Sequence, residues 1–516
     1  MTNHIHSDRS KLLVLAAICL AALVLPLSFT GGAIATPAIG RDLGGTPAAL
    51  TWITNAFMLS FGSLLMAAGA VADEYGRKRV FVLGMTLFVV ASLALTCAPS
   101  VAWLDILRAV QGIAAAAALS SGSAALAQEF DGHARTRAFS LLATTFGVGL
   151  SFGPLLAGIL IEALGWRAVF AATAAIGAVA LAFAAPRMRE TRDADATGVD
   201  WPGTVLFTGV LVLFTCGVIE APACGWTSPA VLALLAAAAV LLVAFTVVEA
   251  RVARPMLALG LLRHPRFVGV QMLPIGTCYC YVVLVVLLPL RFIGMEGMSE
   301  MAAGVLMLAL STPLLVVPLL VATLTRWVPA GVLCGTGFLI AAAGLYWLSL
   351  VHVGASGNAV VLPMLLIGAG AGMPWGLMDG LAISVVPGER AGMAAGIFNT
   401  TRVAGEGIAL AVAVAILSAS AQASLHAALG HAASPTAARM AEAAQRVAAS
   451  DLPHATALLP ELNRHLVMAS YADAFQGLLH VLIAITVLSA LAAFLFLSRA
   501  PTGIERQAPA PSSSRP

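Results

Sequence analysis

Gly69-Ala70-Val71-Ala72-Asp73-Glu74-Tyr75-Gly76-Arg77-Lys78-Arg79 is the stretch on which the fold turns. It joins two apolar runs, 48–72 and 79–99, each long enough to cross a bilayer core, which takes about 20 apolar residues as helix. Two glycines, an acid and three adjacent cations fall in one short turn. Gly69 permits close approach of helices, Gly76 permits a tight turn, and Asp73 can pair with the nearby cations or sit at a helix terminus. A basic triplet alone would be a topology anchor, which leaves the glycines and the acid without a reason.

Outward from that turn, the chain is built for an apolar solvent. It is 60% hydrophobic and only 10% charged, with a mean hydropathy of +0.96. Soluble domains carry roughly 25% charged residues, so 516 residues of this composition could not clothe themselves in water. The net charge of +3 is too small to suggest a nucleic-acid partner; lipid is the expected one. The seven cysteines are scattered through apolar runs without metal-ligand spacing and read as small hydrophobes.

Fourteen apolar runs are expected as helices: 12–39, 48–72, 79–99, 101–127, 138–164, 167–186, 202–220, 228–249, 267–290, 301–324, 328–350, 358–385, 392–419 and 474–498. The first resembles a signal peptide, with Ala33-Ile34-Ala35 as a cleavage site, but it is too long for a signal core and reads as a spanning helix. With both termini in the cytoplasm, nineteen of the 27 Lys and Arg fall inside and six outside, leaving Arg108 and Arg402 within helices. That asymmetry supports the even count and a multi-pass protein of the cell (inner) membrane. Expected domains are 1–187 as a six-helix bundle, 188–264 as a charged cytoplasmic linker with an inserted helix pair, and 265–500 as a second six-helix bundle. Within the last, 420–470 reads as an Ala-rich outer loop forming a helical cap, and 501–516 as a Pro/Ser-rich disordered tail.

Further motifs lie on the fourth and fifth runs. Arg108 is buried in a membrane helix with Gln111 at i+3 and Asp105 at i−3, so it is a functional candidate, or else half of a structural pair with Asp105. In the fifth run Gly149, Gly153 and Ala157 recur every four residues, a stripe that lets a helix pack closely; Pro154 bends the helix, and Gly158 follows.

The 69–79 turn resembles motif A of the major facilitator superfamily, departing at Val71 and Glu74. The resemblance implies that Gly69, Asp73, Gly76 and Arg77 form a gate latch between two halves. Arg108 and Gln111 resemble motif B, tied in the family to proton coupling; Gly149, Gly153, Pro154 and Gly158 resemble motif C of antiporters. Pro387 to Gly392 and Gly396 to Arg402 look like the fourteen-helix drug:proton antiporters of the QacA and EmrB type. The implied fold is an all-α membrane protein, a major facilitator fold of two six-helix bundles with an inserted pair. The implied function is proton-coupled efflux of amphipathic small molecules, of the multidrug type. Small-molecule substrate and protons would be the partners, and a periplasmic adaptor a further one by the same resemblance.

One departure matters. Where those antiporters carry an acid and an asparagine in the first helix, this chain has Ser28 and Ala33. Acids occur instead at Glu406, one turn after Arg402, and at Asp379. Glu406 could carry a proton or be inert in an i,i+4 pair with Arg402, and Asp379 could be a hydrated carboxylate. Trp52, Asn55, Asp379, Asn399, Arg402 and Glu406 are the cavity candidates. No nucleophile, metal, cofactor or Walker motif is present, so an enzyme is not expected. The competing readings are export of one endogenous metabolite, and a membrane sensor or scaffold that no longer transports.

Overall fold

The long apolar runs fold as helices because each satisfies its own backbone hydrogen bonds, as an apolar solvent demands. The structure is a computed structural model and describes residues 2–497 apart from 131, 193–199, 253–259, 261–262, 355–356, 386–390 and 430–435. Among the described residues, fourteen helices are long and apolar enough to cross a membrane. These are α1 Lys11–Leu43, α2 Pro47–Tyr75, α3 Arg77–Thr96, α4 Val101–Glu129, α5 Thr144–Leu164, α6 Arg167–Arg187, α7 Trp201–Pro222, α8 Pro229–Glu249, α9 Pro265–Met295, α10 Glu300–Leu324, α11 Ala330–Leu350, α12 Gly357–Ala382, α13 Ile397–Leu429 and α16 Arg464–Leu497. Two short helices, α14 Ala437–Ala448 and α15 Leu452–Leu458, lie between the last two spans.

An even number of spans puts Lys11 and Leu497 on one side, here the terminal face, and the first turn at Leu43 on the far face. Four helices that start at the far face are capped by a hydroxyl: Thr46, Ser100, Ser228 and Ser299 accept from the N–H groups of Ala49, Trp103, Val231 and Ala302.

The helices form two six-helix bundles that share one pairing pattern. In the first, α2 packs on α4, α3 on α4 and α6, and α1 on α5 and α6. In the second, α10 packs on α12, α11 on α12 and α16, and α9 on α13 and α16. The bundles meet along two equivalent seams, α2 against α13 and α5 against α10. The inserted pair packs α7 on α8, and α7 lies against both α2 and α13.

The segment 420–470 is more ordered than its expected description as a loop. Alanine has the highest helix propensity, and α13 runs on to Leu429 while α16 begins at Arg464, ten residues before its apolar run. Between them α14 is amphipathic and buries Met440, Ala443, Ala444, Val447 and Ala448. The tail 501–516 and the Pro387–Arg390 part of the antiporter-like motif lie outside the described residues.

Candidate functional site

The turn between α2 and α3 is a single residue, Gly76, at φ +114°, a conformation that strains any residue with a side chain. A Cβ there would also collide with the Glu190 carboxylate. Arg77 donates from Nε and Nη2 to Asp73 Oδ1, at 2.9 and 2.7 Å, so the acid and cation pair inside the first bundle. The chain beyond α6 closes over the turn: Arg77 N–H donates to Thr191 O (2.9 Å), Lys78 N–H to Glu190 Oε1 (3.2 Å), and Arg79 pairs with Glu190 Oε2 at 3.6 Å. A carboxylate over the first N–H groups of α3 also suits the helix dipole. Gly69 lies against Ser120 of α4.

Arg108 is fully buried and held by neutral groups, not by Asp105. Its Nε donates to Ile53 O (2.8 Å), and its Nη1 to Ser28 Oγ (2.8 Å) and Gln111 Oε1 (2.6 Å). Ser28 donates on to Gln111 Oε1 (3.0 Å), Gln111 Nε2 to Ser92 Oγ (2.7 Å), and the guanidinium lies 4.4 Å from the Phe57 ring centre. The planar fork needs acceptors at fixed angles, which three different helices supply. Gly32 packs directly against the guanidinium, where a Cβ would come within 3.1 Å of Nη2. Gly112 lets α4 meet the backbone of α2 at Phe57 and Phe61.

The motif C residues divide between two neighbours. Gly149 and Gly153 face α1, where a Cβ would strike Pro26 and Thr30, and Ala157 lies on the same side near Gly31. Gly158 abuts the backbone of Glu300 and Met301 in α10, and Pro154 lies against Gly304. The hydroxyl of Ser151 donates to Ser311 O across the seam at 2.8 Å. The stripe thus joins α5 to its own bundle on one side and to the opposite bundle on the other.

In the second bundle Arg402 does not pair with Glu406, the neighbour that helix periodicity suggested. Its Nη1 reaches Asp379 Oδ1 on α12 at 3.4 Å, and its guanidinium lies 5.8 Å from the Phe146 ring of α5 and 5.9 Å from Phe398. Asp379 is half-exposed, in keeping with a hydrated carboxylate. Glu406 is only 7% exposed, and no described residue hydrogen-bonds or ion-pairs with it. Cys278 of α9 packs beside this turn, its thiol 3.8 Å from Arg402 O. Asn399 is half-buried on the same helix. Trp52 sits where α2, α7 and α13 meet, among Phe207, Phe214 and Ile408, and Asn55 is fully buried three residues on.

The model of the Major Facilitator Superfamily matches residues 17–410. The chain belongs to that superfamily. It is 31% identical over 415 residues to multidrug resistance protein Stp of Mycobacterium tuberculosis (strain CDC 1551 / Oshkosh), covering 80% of this chain and 77% of Stp. It is 34% identical over 420 residues to cephamycin export protein CmcT of Amycolatopsis lactamdurans, covering 79% and 84% of the two chains. The tetracenomycin C resistance and export protein of Streptomyces glaucescens is 30% identical over 412 residues, with 77% and 74% covered. The fold is shared with a crystal structure of a bacterial homolog to the human lysosomal transporter Spinster, at TM-score 0.63 and 14% identity, covering 94% of this chain and 97% of that one. As a facilitator-superfamily protein, the chain is a multi-pass membrane transporter.

In this transporter the contacts between bundles also include residues that no motif flagged. At the far face Arg41 of α1 is hydrogen-bonded to Glu300 of α10. Arg446 of α14 donates to Gly45 O (3.2 Å) and pairs with Asp451 at 3.1 Å. Toward mid-helix, Gly62 of α2 meets the Ala404 backbone of α13. The far face is therefore closed. These contacts of Glu190, Glu300 and Arg446 carry no local signal in the sequence, because Lys78, Arg41 and Gly45 lie more than 100 residues away from them.

Proposed function

We propose that this transporter exports amphipathic small molecules in exchange for protons, with Glu406 as the proton carrier. Both termini lie in the cytoplasm, so the terminal face is cytoplasmic and the far face is outer. Residues 1–187 and 265–500 are the moving halves, and 188–264 supply the linker and inserted pair. The charge asymmetry supports the orientation, and relatives named for drug resistance and export support the direction of transport.

The observation that carries the proton assignment is the contrast between Glu406 and Arg402. Glu406 is buried two to three turns inside α13 without a hydrogen-bond or ion-pair partner among the described residues. An ionised carboxylate there is costly, so the group is stable when protonated and needs a cation when it is not. Arg402 stands one turn away, at i,i+4 spacing that allows the two to meet. Its present hold on the half-exposed Asp379 is a long 3.4 Å contact that is cheap to break. Proton loss from Glu406 draws Arg402 over from Asp379; protonation releases it. Movement of that cation at the meeting point of α13, α9 and α5 links proton state to the seams along which the halves rock.

The test is transport of a dye panel by reconstituted vesicles with and without an imposed pH gradient. Glu406→Gln is expected to lose gradient-driven accumulation by on the order of a hundredfold, while Asp379→Asn alters the rate by a small factor. Unchanged coupling in both variants would sink the assignment, and wild-type transport indifferent to the gradient would sink proton exchange itself.

A further inference from the structure

Asn55 is 0% exposed, and neither its Oδ1 nor its Nδ2 has a hydrogen-bond partner among the described residues. Buried polar groups are satisfied in the large majority of cases, and leaving one unpaired costs the whole desolvation of that group. Here both ends of one amide are affected. Its place in the fold gives the cost a purpose.

At 100° per residue, Trp52, Asn55, Leu59 and Gly62 form one continuous face of α2. That face lies on the seam: Gly62 meets the Ala404 backbone, Leu59 clusters with Ala404 and with Leu211 of α7, and Trp52 packs with Ala411. The side chains of Ala404, Leu211 and Ala411 on that face's partners are apolar and offer an amide no hydrogen bond. Asn55 is seven residues, or about 10 Å, outward of the Gly62 crossing. It therefore occupies the outer part of the α2–α13 seam, toward the face where Arg446 is bonded to Gly45 and where, between α1 and α10, Arg41 is bonded to Glu300. When the halves rock to open the outer side, this is the stretch that parts and admits water to the amide.

We propose that Asn55 is a counterweight in alternating access: its unpaired amide penalises the outside-closed arrangement and is relieved by hydration when the outer seam opens. The inference rests on the transporter opening alternately to its two sides. The outer face is held closed by the Arg41–Glu300 and Arg446–Gly45 contacts, and without an opposing term the closed state would be a trap. An unpaired buried polar group biases a two-state equilibrium by about tenfold, enough to keep the open state reachable without making it dominant.

The experiment measures spin-label distances in the substrate-free protein. Labels go on Leu164→Cys and His465→Cys, both exposed at the outer ends of α5 and α16, with the four cysteines that are not buried (Cys19, Cys97, Cys216, Cys224) replaced by serine. In Asn55→Leu, which fills the space with an apolar side chain, the long-distance, outside-open fraction is expected to fall about tenfold. Asn55→Ala, which removes the amide without risk of overpacking, is expected to lower it in the same direction by a smaller factor. An unchanged or larger open fraction in both variants overturns the proposal, because the amide is then either satisfied in the closed state or indifferent to it. A change in apparent substrate affinity with the substrate-free distances unmoved overturns it too, making Asn55 a substrate contact. Gradient-driven dye transport by the wild-type protein, measured separately, tests the export reading on its own.

Discussion

Arg108 and Arg402 are held inside their membrane helices in opposite ways. Arg108 is fully buried and receives acceptors from α1, α2 and its own helix, with an aromatic ring beside the guanidinium. Arg402 has one carboxylate at 3.4 Å, half-exposed, and a second one turn away that it does not touch. The first is bonded through Nε and Nη1 to groups on three helices, with Nη2 left without a hydrogen-bond partner among the described residues, and works as a fixed post joining those helices. The second has two possible carboxylate partners and weak commitment to either. A group that must change partners during transport has to be of the second kind, which is why Glu406, beside Arg402, is the proposed proton carrier although motif B draws the eye to Arg108.

The two centres should respond oppositely to substitution. Arg108→Ala strips the donor from Ile53 O, Ser28 and Gln111 and leaves a void, costing about 3–5 kcal/mol. Thermal unfolding in detergent should show a large drop in Tm; a Tm within a degree or two of wild type would mean that the post is not structural. Glu406→Gln should do the reverse, abolishing coupling while unfolding at or slightly above the wild-type temperature, since a buried ionisable group is gone. Should it unfold far earlier instead, Glu406 has a structural partner and the contrast fails. Ser28→Ala removes one acceptor of Arg108 and is expected to cost about 1–2 kcal/mol with proton coupling retained; loss of coupling without loss of stability would move the proton path into the first bundle. Asp379→Asn is the smallest, within about 1 kcal/mol, because a half-exposed ion pair contributes little. A greater loss would show that Asp379 anchors Arg402 firmly.

These contrasts also mark where the sequence could be read and where it could not. The Gly69–Arg79 turn was legible because all its determinants are neighbours: one positive-φ glycine, an acid and a cation four residues apart. Glu190 completes that turn, yet it sits 112 residues from Lys78 and carries no local signal. Gly149 and Gly153 were visible as a stripe, but the stripe could not say that Gly158 faces another helix and the opposite bundle. Ser28 read as a missing acid; in the folded chain its hydroxyl accepts from Arg108 and donates to Gln111.

What the sequence alone determined was the set of spans and the kind of fold. Bilayer thickness fixes helix length, and apolar length is a local property that can be counted along a chain. The Gly69–Arg79 turn is local in the same sense. Only the tertiary structure decided which polar groups meet. Helix periodicity offered Asp105 to Arg108 and Glu406 to Arg402, and in both cases the folded protein supplied other partners: Ser28, Ile53 O and Gln111 for one, Asp379 for the other. The rotation and depth of each helix are set by packing of small residues such as Gly32, Gly62 and Gly112 against distant helices. Those two quantities choose the partner of every buried charge, and they leave Asn55 with none.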